Sequence, residues 1–122
     1  MEPIQYIVAV DNKKVLLVQH SDKSWSFPGE IAVPATKEDA ATQLQRVVFE
    51  QTGRLLEGFE VIHAGIIGSL YGVFFLCKLD AYKIVRSKKF EDVQWFSFDD
   101  AMTNLKKVEK ETLLKLRNKK LI

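Results

Sequence analysis

A single cysteine, Cys77, among 122 residues excludes an internal disulfide framework and the usual multi-cysteine zinc sites. A reducing, cytoplasmic setting is expected. Three prolines and six glycines are too few for a collagenous or low-complexity chain. Charge of one sign is also lacking. The 18 basic and 16 acidic residues leave a formal net charge of +2, so no global field draws the molecule toward nucleic acid or a membrane surface. No apolar run approaches the roughly 20 residues that span a bilayer. The opening MEPIQYIVAVD carries an acid at Glu2 and lacks the basic start and long apolar stretch of a secretory signal.

What is present is the balance of a compact soluble protein, 47% hydrophobic and 28% charged. The length suits one domain over residues 1–122 and is short for two.

Residues 4–10 and 15–19 are β-branched apolar runs separated by Asp11-Asn12-Lys13-Lys14, which predicts a hairpin. Residues 21–34 contain Pro28, Gly29 and Pro34 and no helical period, the pattern of a loop with short extended pieces. Thr36 is a candidate helix cap with Asp39 three residues on. A helix is predicted over 37–52, with Ala40, Leu44, Val47 and Val48 along one face and Gly53 as its stop. Strands follow in FEVIHAGIIG, LYGVFFLCKLD, AYKIVR and VQWFSF, then a short helix over 99–106 and a final one over 109–119. This order makes an α+β domain, a mixed sheet with helices on both sides.

Residues 25–53, WSFPGEIAVPATKEDAATQLQRVVFEQTG, resemble the box of the Nudix (MutT-type) family, G-x5-E-x7-R-E-U-x-E-E-x-G-U preceded by W-x-x-P-G. Trp25, Phe27, Pro28 and Gly29 match its opening, and Arg46, Val48, Glu50 and Gly53 its close. EDVQWFSFDDA at 91–101 resembles the acidic-then-Trp strand and short helix near the end of such domains. The resemblance implies a Nudix fold, a mixed β-sheet between helices in an α/β/α sandwich. It also implies a hydrolase of a nucleoside diphosphate linked to another group. In the family, carboxylates at i, i+3 and i+4 on one helix face hold magnesium or manganese, which neutralises a pyrophosphate and activates water.

Here those three positions are Val47, Glu50 and Gln51, so one carboxylate of three remains. Weak metal binding and weakened or lost hydrolysis are expected. Val47→Glu combined with Gln51→Glu should strengthen metal binding. Counting back from Arg46 puts the opening Gly at Ala32, two residues beyond the match at 28–30. One register makes Glu38 the first box glutamate. The other aligns Glu38-Asp39-Ala40-Ala41 with a helix-opening E-E-A-A, and neither restores the lost acids.

The candidate catalytic residues are Glu50, Gln51 and Arg46; candidate metal ligands are Glu50, Glu30, Glu38 and Glu91; Trp25 and Phe27 are candidate stacking surfaces for a nucleotide-type small molecule. Each has a plainer reading. Glu50 has the i, i+4 spacing for an ion pair with Arg46, Glu30 and Glu91 suit surface loops, and Phe27 suits the core. His20 and His63 are too isolated to be ligands, and the basic run KKVEKETLLKLRNKK reads as an amphipathic packing helix before a nucleic-acid surface. The competing function is a non-catalytic module that binds a nucleotide or a protein. The oligomeric state is open, a homodimer included, and no membrane partner is expected.

Overall fold

The computed structural model describes residues 3–31 and 39–122. Two four-stranded sheets form its middle layer. The first contains β1 (Pro3–Val8), β5 (Gly29–Ile31), β6 (Leu56–Ile67) and β7 (Leu70–Leu79), in the order β5-β1-β7-β6. The pair β1 and β7 is parallel, while β1–β5 and β6–β7 are antiparallel, so the sheet is mixed. The second contains β2 (Val10–Asp11), β3 (Lys14–Gln19), β4 (Trp25–Ser26) and β8 (Asp92–Phe96), with β3 bonded to the other three. The helices are α1 (Ala40–Thr52), α2 (Phe98–Asn104) and α3 (Lys107–Asn118).

Alternation along β1 and β3 divides the core into two. Val8, Val15 and Leu17 join Phe27, Phe74 and the α2 and α3 residues Ala101, Leu113 and Leu116. Their neighbours Ile7 and Leu16, with Ala9, join Leu44, Val47 and Val48 of α1. Successive side chains of a strand point to opposite faces, so a continuous apolar run is what a sheet covered on both sides requires. Trp95 and Phe96 show the same division: each packs against a different core.

Three sequence expectations need correction. Residues 4–10 and 15–19 do not form one hairpin: only Val10–Asp11 pairs with Lys14–Val15, while β1 is bonded to β5 and β7. The run AYKIVR is not a strand, for Val85 donates its N–H to the Thr52 carbonyl at the end of α1 instead of to a ladder. The N-cap of α1 is Asp39, whose carboxylate accepts from Thr42 N at 2.7 Å; Thr36 and the expected helix start at 37 lie outside the described residues. Gly53 ends α1 as expected, at φ 71°, returning its N–H to Phe49 O.

Candidate functional site

Gly29 begins β5 opposite Tyr6 of β1. A Cβ there would lie 2.7 Å from Gln5 O and 2.8 Å from Tyr6 Cδ1, so the strands can meet only because this residue has no side chain. On its other side stands α1. Gln51 Nε2 donates to the Gly29 carbonyl at 2.9 Å, which ties the end of the helix to the loop. Only the nitrogen can serve a carbonyl oxygen, so the amide orientation is fixed and Gln51 Oε1 faces away, buried without a partner among the described residues. Gln51→Ala should lower stability by about 1 kcal/mol; an unchanged urea midpoint would show the bond to be worthless.

The three positions expected to carry carboxylates separate in space. Val47 is 3% exposed and packed in the α1-side core, and Gln51 is 3% exposed. The Glu50 side chain is 51% exposed and lies 3.8 Å from Arg46, one turn earlier. Glu30, on β5, is half-buried and lines a cleft. Glu91 is exposed, 3.9 Å from Lys23, and is not among that cleft's lining residues. Glu38, and with it the choice of register, lies outside the described residues. Among the described residues no group of three or more His, Cys, Asp or Glu is placed to hold a metal ion.

This donor set does not suit magnesium, which asks for several oxygens and strong negative charge. The Gly29 carbonyl already accepts from a neutral amide, Val47 has no donor atom, and Glu50 is turned toward Arg46. An acid restored at 47 would enter the apolar core instead of joining Glu50.

The cleft, about 580 Å³, lies between β1, the β4–β5 segment and the start of α3. Trp25, half-buried with its ring 4.8 Å from Phe96, forms part of its wall. Phe27 is 1% exposed, edge-on to Phe74 at 5.8 Å, and meets the cleft from the core. Tyr6 stacks on Phe74 at 4.7 Å and also lines it; burial first, then the nearby Glu109, pushes its hydroxyl up to about 12. His20 Nε2 is 2.6 Å from Ser26 Oγ. Since that hydroxyl donates to Phe27 O, the ring nitrogen acts as the donor.

Sequence reasoning missed Tyr6 and Glu109. Glu109 is 4% exposed, sits in the first turn of α3 and accepts from Phe27 N at 3.0 Å. Burial raises its carboxyl above the ordinary range, although N–H groups of Phe27 and Lys106 and the charge of Lys106 pull the other way. The one available signal was Glu three residues after Lys106, the spacing of a helix-capping acid. Its partner in the β4–β5 segment is 82 residues away and could not be read.

Residues 2–116 match the family model described as NUDIX domain. An ADP-ribose pyrophosphatase from Streptococcus suis 89-1591 superposes with TM-score 0.74 at 20% identity, over 95% of this chain and 91% of that one. A MutT NUDIX hydrolase from Burkholderia pseudomallei gives TM-score 0.77 at 17%, over 94% and 97%. A UDP-X diphosphatase gives 0.71 at 18%, over 98% and 64%. A comparison with curated proteins finds no match. The fold likeness and the family match over nearly the whole length agree with the helix-to-loop geometry around Gly29, and the chain belongs to the NUDIX domain family.

Proposed function

We propose that this Nudix protein binds a nucleoside diphosphate linked to another group in the cleft beside Trp25, and that its metal-dependent hydrolysis is weakened or lost. The family acts on nucleotide-type substrates, and two structural relatives carry names that speak of ADP-ribose and UDP-X. The observation that carries the reading is the bond from the Gln51 amide to the Gly29 carbonyl. It keeps the helix and loop together while leaving Glu50 as the single carboxylate of three. A cleft walled by Trp25 and Tyr6, with Phe27 packed behind them, suits a flat ring.

Magnesium or manganese would bind weakly at best, since Glu50 is the one carboxylate of the three helix positions and faces Arg46. If turnover is absent, the protein is a non-catalytic nucleotide-binding module on the same fold. No helix among the described residues is long and apolar enough to cross a membrane.

A panel of nucleoside diphosphate derivatives, assayed with magnesium and with manganese, tests the reading. Turnover is expected far below about 1 per second, the lower end of ordinary enzyme rates. Wild-type turnover at or above that rate would overturn the weakened activity. If Glu50→Gln also left such a rate unchanged, the role given to Glu50 would fail as well.

A further inference from the structure

The cleft has charge of its own in the residues the helix does not supply. Lys89 precedes β8 and Lys106 is the N-cap of α3, and both line the cleft with Trp25 and Tyr6. Both are exposed, and among the described residues neither makes an ion pair. Lys89 Nζ lies 5.9 Å from the centre of the Phe90 ring, a loose contact that leaves the ammonium accessible.

Among the described residues, two acids also line this space. Glu109 is buried, accepts from Phe27 N, holds the start of α3 and lies near enough to Lys106 for their charges to interact. Glu30 is the other carboxylate among the described lining residues, an acceptor for N–H or O–H groups of a ligand. His20, also on the wall, is engaged with Ser26. No α1 residue lines the cleft; Gln51 acts on it only through the Gly29 carbonyl, to which its amide brings no charge, and its Oε1 is buried without a partner among the described residues.

We propose that this cleft binds its anionic ligand without a divalent cation: the Gln51 amide satisfies the Gly29 carbonyl, and Lys89 and Lys106 bring positive charge to the ligand's phosphates. This deepens the nucleotide-binding reading and rests on it. A lysine ammonium is a compact point charge on a flexible stem, able to reach a diphosphate in a partly open cleft. Screening by salt follows, because both ammonium groups stay in solvent.

The test is calorimetric titration with ADP as the charged probe and adenosine as the neutral one, each in chelator and in magnesium. ADP is expected to bind in chelator, with affinity changed less than about twofold by magnesium and falling as salt rises. Lys89→Ala and Lys106→Ala should each weaken ADP about tenfold and leave adenosine unchanged. Gln51→Glu, which removes the donor and adds charge, should bind ADP more tightly with magnesium than without. ADP binding that requires magnesium in the wild type would overturn the proposal and leave the nucleotide-binding reading intact. Binding in chelator that ignores both lysine changes would overturn the role of the lysines, and a Gln51→Glu protein indifferent to magnesium that of Gln51. Absence of any ADP or adenosine binding, with or without magnesium, would overturn the cleft reading itself.

Discussion

Val47→Glu should destabilise the protein by roughly 3–5 kcal/mol, the cost of an uncompensated charge in a core. The side chain is 3% exposed among Ile7, Ala9, Leu16, Leu44, Val48, Cys77 and Leu79, none of which offers a hydrogen bond or a counter-charge through its side chain apart from the weak thiol of Cys77. That thiol is itself pushed up to about 12 by burial, so its pocket disfavours anions. Domain stabilities lie near 5–15 kcal/mol, so the change removes a large fraction of the total. With a urea slope of roughly 1–3 kcal/mol/M, the unfolding midpoint should fall by about 1 M or more. Adding Gln51→Glu should not recover it, because the second acid brings no cation into the core. A Val47→Glu protein with a wild-type midpoint, or one rescued by magnesium, would show that position 47 joins Glu50 on an accessible face of α1 instead of entering the core.

Glu109→Ala should cost about 1–3 kcal/mol through one lost acceptor alone, since Phe27 N is buried and accepts no substitute from a methyl group. Loss of the capping contact at the start of α3 adds to this. The carboxyl also makes a pH signature. Its folded pKa is raised above the ordinary value of 4.5, chiefly by burial, so the folded state holds the proton more tightly than the unfolded one. The resulting stability is fully present below the unfolded pKa and is lost as pH rises through the folded one. Glu109→Gln keeps one acceptor oxygen and cannot ionise. The difference in stability, Gln variant minus wild type, should therefore increase as pH is raised from about 4.5 toward neutrality. Parallel urea-unfolding free energies for the two proteins across that range would remove Glu109 from this role.

The elements best read in the sequence are those specified by neighbours along the chain. Helix α1 follows from a 3.6-residue apolar period with no Gly or Pro, and its end from Gly53, which alone adopts φ 71° cheaply. The β6–β7 turn at Gly68-Ser69 follows from the same local chemistry. That positions 47 and 51 carry Val and Gln instead of acids is likewise visible in the letters, and so is the box around them. AYKIVR shows the limit: its composition suits a strand, but Val85 finds its acceptor at Thr52, a choice made by the approach of another element.

Chain chemistry thus determined the Nudix-type box, its helix and the residue identities along it, because periodicity, turn residues and residue identity are local properties. The tertiary structure decided which side of α1 meets the sheet, and so put Val47 and Gln51 inside and Glu50 outside. Helical spacing defines faces of a cylinder without saying what covers them. It also decided the cleft. Tyr6, Trp25, Lys89, Lys106 and Glu109 meet there because β1, the β4–β5 segment and α3 pack together, and the bond closing that contact, Phe27 N to Glu109, joins residues 82 apart. Such a pairing depends on the packing of whole layers, and no window of sequence contains it.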